Sequence, residues 1–79
     1  MPTVLRIGGL RFFFFSNEGE EPPHIHVEQA ERYAKFWLQV DVKLAYSVGF
    51  RQRDLTRIRR LVERHQIMFL ETWDEYFQD

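Results

Sequence analysis

The chain has no cysteine, which excludes a disulfide scaffold and every zinc site built on thiolates and makes a reducing compartment the natural one. Long apolar runs are missing as well. No stretch approaches the ~20 apolar residues that span a bilayer, and the first residues carry neither the basic region nor the small-residue cleavage site of a secretory signal. A cytoplasmic protein without membrane contact is the expectation. Glycine and proline are scarce, at four and three residues, so the few present punctuate the chain at informative places. Nor does one sign of charge dominate: 11 basic residues against 12 acidic ones give no bulk attraction to nucleic acid.

What is there fits one domain, 1–79, near the lower size limit for a chain that folds without disulfides or metal. Aromatic residues make up 16% of it, with eight Phe and two Trp, so that few side chains bury much area or else supply a binding face. Charge is segregated along the chain. Arg51, Arg53, Arg57, Arg59, Arg60 and Arg64 lie in one short segment, while Glu71, Asp74, Glu75 and Asp79 crowd the C-terminus.

The stretch Glu21-Pro22-Pro23-His24-Ile25-His26-Val27 organises the reading. Two prolines fix φ and hold the chain extended, so His24 is predicted to be the first or second residue of a strand that runs to about Glu28. Strand side chains alternate, so His24, His26 and Glu28 share one face while Ile25 and Val27 supply the core on the other. Upstream, Thr3 to Ile7 and Leu10 to Ser16 read as strands joined through the positive-φ dipeptide Gly8-Gly9. Phe12 to Phe15 then place two rings on each side of the second strand. Ser16 to Glu21 is an acidic turn-forming loop. Downstream, Tyr33 to Val40 alternates, with Ala34, Phe36, Leu38 and Val40 facing the core, and Val42 to Val48 alternates again. Short connections throughout argue for antiparallel pairing.

From Gln52 the period becomes helical. Leu55, Ile58, Leu61, Val62, His65, Phe69, Leu70, Trp73, Tyr76 and Phe77 share half a helix circumference, which predicts a single helix from about Gln52 to Phe77. A kink near His65 to Ile67 is the alternative, because Ile67 falls off the stripe. The start is poorly capped by Arg51, and Asp54 compensates in part. The fold class is therefore α+β: a four- to five-stranded antiparallel sheet with a long or kinked C-terminal helix packed on one face. Ile25, Val27, Phe36, Leu38, Leu55, Ile58, Val62, Phe69 and Trp73 are the expected core.

Together the opening Met-Pro-Thr-Val-Leu-Arg, the Gly-Gly hairpin followed by Arg-Phe-Phe-Phe-Phe-Ser-Asn-Glu, the Glu-Pro-Pro-His-Ile-His-Val core, Ala-Lys-Phe-Trp-Leu, Gly-Phe and the terminal Trp-Asp-Glu-Tyr-Phe resemble the bacterial family catalogued as domain of unknown function 4160. The Pro-Pro-His-x-His core is the most specific part. What the resemblance implies is a gene pair, since the family's genes often sit beside those of another small family, domain of unknown function 2442, in pairs that look like toxin-antitoxin modules. It implies no activity.

Three chemistries suit the histidine pair. Two imidazoles that titrate near neutrality serve as base and acid in cleaving RNA through its 2′-hydroxyl, with Lys35 steadying the phosphate. Alternatively they ligate a metal, with Glu21, Glu28 or His65 as the third ligand; no metal or other cofactor is required by the sequence. The third role is simple hydrogen bonding on the sheet. Arg53, Arg57, Arg60 and Arg64 recur at i, i+4, i+7 and i+11, forming one ridge opposite the apolar stripe, either a solvated face or a contact for phosphates or an acidic protein. Phe13 or Phe12, Phe15 or Phe14, and Trp37 are expected on the sheet face away from the helix, with Phe13, Phe15 and Trp37 the candidates for a stacking platform for bases or an interface. The functional expectation is the RNA-directed, ribonuclease-like toxin half of a toxin-antitoxin-like pair, metal-independent, with a homodimer or a small neighbouring protein of the domain of unknown function 2442 type as partner. A non-enzymatic binding module, antitoxin or adaptor, and a small His-x-His metal protein are the alternatives.

Overall fold

The computed structural model describes residues 3–77; Met1, Pro2 and Asp79, which entered the motif and charge readings, lie outside them. Five strands, β1 (Thr3–Ile7), β2 (Leu10–Phe13), β3 (His24–Gln29), β4 (Arg32–Trp37) and β5 (Lys43–Val48), are followed by two helices, α1 (Gln52–Arg64) and α2 (Gln66–Phe77). The strands form one sheet in the order β1-β2-β3-β4-β5, antiparallel at every step. Gly8 and Gly9 both take positive φ, 52° and 85°, as a tight hairpin with the right-handed twist of its strands requires.

The helices cover one face of the sheet. Phe12, Phe14, Ile25, Val27, Ala34, Phe36 and Leu38 meet Leu55, Ile58, Val62, Phe69 and Trp73 in a single core, and all nine residues expected there are buried. Phe12 stacks on Phe69 with ring centroids 5.6 Å apart, and Phe14 meets Trp73 edge-on at 5.2 Å. Burial of side chains of this size contributes roughly 1.5–3 kcal/mol each. The outer face of β3 is therefore the one left for polar residues.

The single long helix is corrected to two. His65 leaves helical geometry at φ −105°, ψ 13°, and α2 restarts at Gln66. A straight 26-residue helix would run about 39 Å, whereas strands of six residues span about 20 Å. The break keeps α2 on the sheet, so that Phe69 and Trp73 reach Phe12 and Phe14. Gln66 itself donates from Nε2 to the carbonyls of Leu38 (2.7 Å) and Val40 (3.0 Å), satisfying acceptors where β4 has left the ladder. β4 also ends sooner than the alternation suggests: Val40 is 90% exposed with φ 57° and does not face the core. At the start of α1 the Asp54 carboxylate accepts from the Arg51 amide at 3.3 Å, realising the compensation expected of it. No helix among the described residues is long and apolar enough to cross a membrane.

Candidate functional site

On the sheet face away from the helices, β3 carries His24 and His26 side by side, with ring centroids 4.9 Å apart. They are not displayed to solvent: His24 is 0% and His26 2% exposed. The β2–β3 loop folds back over them. Phe15 sits edge-on against the His26 ring at 4.6 Å, Phe13 stacks on it at 5.3 Å, and Trp73 reaches from α2 to within 4.8 Å of the His24 ring.

The loop also delivers Glu18. Its Oε1 lies 2.7 Å from His24 Nε2 and 2.6 Å from His26 Nε2, and it accepts the Phe15 amide at 3.3 Å. A turn closed by the Glu21 amide on the Glu18 carbonyl, 3.1 Å, holds the carboxylate in place. The opposite nitrogens are engaged too. His24 Nδ1 faces the Pro22 carbonyl at 3.0 Å, and a carbonyl only accepts, so Nδ1 donates. His26 Nδ1 meets the Tyr33 hydroxyl, with Tyr46 donating in turn to Tyr33 at 3.4 Å. Among the described residues no buried side-chain nitrogen or oxygen lacks a partner.

Electrostatics agree with that accounting. Burial pushes the Glu18 carboxyl up, but hydrogen bonds from His26 and His24 and their charges outweigh it, and the net shift is downward. For His26 burial is the largest influence and lowers its pKa; the Glu18 contact pulls the other way, and the charges of His24 and Lys35 push down again, leaving it below its ordinary value. His26 is therefore a neutral ring at pH 7, donating from Nε2 to Glu18 and accepting at Nδ1 from Tyr33. Burial, followed by Tyr46 and the nearby carboxylates of Glu18 and Glu21, raises the Tyr33 phenol, which keeps it a donor.

A family model described as Domain of unknown function (DUF4160) matches residues 9–74, a span that holds the whole Glu18, His24 and His26 cluster. The chain belongs to that family. No curated protein and no solved structure matches it.

The other nominated residues of this DUF4160 chain fall in three places. Lys35 pairs with His26 in register, but its Nζ turns to Glu21 at 2.7 Å and lies over the Trp37 ring at 4.6 Å. Phe13 is buried at 2% beneath Arg11, whose guanidinium lies 4.3 Å above its ring; Phe15 and Trp37 are half-buried. The Phe-rich face is thus largely covered by the chain itself, by its own loop. Arg53, Arg57, Arg60 and Arg64 are exposed on α1, on the helical layer and across the sheet from the histidines. Among the described residues none of the four is ion-paired.

The third member of the histidine cluster is Glu18, not the three residues nominated for it. Glu28 is held by Arg11 at 2.9 Å, Glu21 by Lys35, and His65 packs beside Phe69 on the helical side of the sheet. Tyr33 was missed as well. Its alternation phase on β4, opposite Glu28 in register, put it on the histidine face, and that was the available signal.

Proposed function

We propose that the protein is the RNA-directed half of a bacterial toxin-antitoxin-like pair, working in the cytoplasm, and that it engages RNA through the arginine face of α1. The observation that supports this reading is the exposed row Arg53, Arg57, Arg60 and Arg64 without a carboxylate partner among the described residues. Unpaired guanidiniums along about 16 Å of helix form an electropositive track suited to bidentate phosphate contacts. Proton transfer by His24 and His26, with Lys35 steadying a phosphate, demands that Glu18 and Phe15 first withdraw, because every ring nitrogen is engaged and both rings are covered. In the closed arrangement the protein binds without cleaving.

A second reading, a non-enzymatic protein-binding module, is favoured by the sheet edge. Among the described residues no strand lies beyond β5, which exposes Leu44, Tyr46 and Val48. A second copy or the small neighbouring protein implied by the family resemblance would add there.

Fluorescence anisotropy with labelled single-stranded RNA tests the first reading, using the wild type and a variant with all four arginines replaced by Gln. Expected is salt-dependent binding, with a slope of log K against log salt that falls by about 0.7 for each phosphate contact removed. Cleavage of the RNA that is lost in His24→Ala/His26→Ala adds catalysis to the reading. Absence of RNA binding, with capture of the neighbouring protein in its place, overturns it in favour of the module.

A further inference from the structure

We propose that Glu18, His24 and His26 form a site for a divalent transition-metal ion of the zinc class, which clamps the β2–β3 loop onto the sheet. The inference is independent of RNA binding through α1 and shares His24 and His26 only with the cleavage step of that reading. One ligand atom from each of the three residues lies within 4.8 Å of the others, and both imidazole Nε2 atoms already point at the same carboxylate oxygen.

The donor set selects the metal class. Two imidazoles and a carboxylate suit zinc, cobalt or nickel; calcium and magnesium demand more oxygen donors, and copper(I) prefers sulfur. Bond lengths of 2.0–2.2 Å to nitrogen and oxygen place tetrahedral donors about 3.3 Å apart. The Nε2 to Oε1 separations of 2.7 and 2.6 Å therefore open by about 0.6 Å on binding. Glu18, carried on a loop while both histidines sit on one strand, is the member that retreats.

The outer contacts are those that ligating histidines need. His24 directs Nδ1–H to the Pro22 carbonyl, which commits Nε2 to the inward side. His26 is backed by the Tyr33 hydroxyl. When the metal takes its Nε2 lone pair, the ring proton moves to Nδ1 and is donated to Tyr33 Oη, whose own hydrogen turns to Tyr46 Oη at 3.4 Å. The ion takes His24 at Nε2, opposite the Nδ1–H held by the Pro22 carbonyl, and because metal ligands bind in their deprotonated form the affinity depends on pH. Phe13, Phe15 and Trp73 wall the cluster, and the fourth tetrahedral position falls to a single water.

The test uses the whole chain, purified without an affinity tag and stripped with chelator. Cobalt(II) and zinc(II) are added separately, and the readouts are calorimetric stoichiometry, melting temperature and the visible ligand-field spectrum of cobalt(II). Expected are one ion per chain, a rise in melting temperature reversed by chelator, and a tetrahedral-type cobalt spectrum. Glu18→Gln, His24→Gln and His26→Gln should each abolish the spectrum, and His65→Gln should leave it intact. Tyr33→Phe, a positioning change, should weaken affinity by about 10- to 100-fold. The wild-type spectrum decides the matter even if a histidine variant fails to fold. No spectrum and no melting shift at a tenfold excess of metal overturns the proposal, as does full binding retained in Glu18→Gln. Neither result bears on RNA binding through α1.

Discussion

Gly19 lies against the ring of Phe77: a Cβ placed on Gly19 would stand 2.9 Å from Phe77 Cδ1 and 3.4 Å from Cγ. The loop that carries Glu18 to the histidines thus rests on the last turn of α2. Gly19→Ala should force the two apart at a cost of about 1–3 kcal/mol, the range for overpacking. Urea unfolding of the variant measures it. A change smaller than about 0.5 kcal/mol, as at ordinary surface positions, would show that loop and helix end do not bear on each other.

Tyr33→Phe removes the hydroxyl that meets His26 Nδ1 and leaves a buried acceptor without its donor. The expected loss is about 1–3 kcal/mol. Tyr46→Phe, on a side chain that is 52% exposed, should stay within about 0.5 kcal/mol. Equal effects from the two variants would contradict the hydrogen-bond order drawn from the structure.

Trp73 touches Phe14, Phe77 and His24 at once. Trp73→Ala should cost about 3–5 kcal/mol through the cavity it opens. It should also expose the His24 ring, so that hydrogen exchange and chemical modification of His24 speed up in the variant. Modification at the wild-type rate in a folded variant would argue against this contact.

Acid should destabilise the metal-free protein in two stages. The folded His26 has a pKa below its ordinary 6.5, so the unfolded chain takes up the proton first and stability falls as pH drops through and below 6.5. Glu18 is likewise depressed, below 4.5, so its contribution is present above that value and is lost as pH falls further. Around the pair stand His24 on β3, Lys35 and Tyr33 on β4, and Glu21 on the loop. Denaturant midpoints measured between pH 8 and pH 3 check both stages, and His26→Gln should remove the upper one. A wild-type midpoint that does not move between pH 7 and pH 5 would contradict the upper stage.

Val40 holds φ at 57° with its side chain in solvent, a conformation that costs a non-glycine residue about 1–2 kcal/mol. Glycine gives back about 0.5–1 kcal/mol of that in unfolded-state freedom. Val40→Gly should therefore match or exceed the wild type in thermal stability. A clear drop would show that the Gln66 contacts to this segment need valine.

The amino-acid pattern alone determined the antiparallel pairing, the faces of β3 and the core list, because each follows from local periodicity and turn chemistry. Pro22-Pro23 and Gly8-Gly9 act on their own neighbours, and a period of two assigns Ile25 and Val27 to the core whatever lies across from them. The helix break was legible only as an alternative, since Ile67 leaves the stripe while the reason for breaking, the short sheet beneath, is not local. Glu18 was not legible. It sits in a loop without periodicity, six residues before His24, and nothing nearby says that the loop folds back instead of outward. Only the packed structure decides this, by bringing Phe15 onto His26, Gly19 onto Phe77 and Trp73 onto His24. Those contacts bury two imidazoles that the pattern left in solvent, and a buried imidazole must find partners within reach. The carboxylate that supplies them is chosen by tertiary geometry.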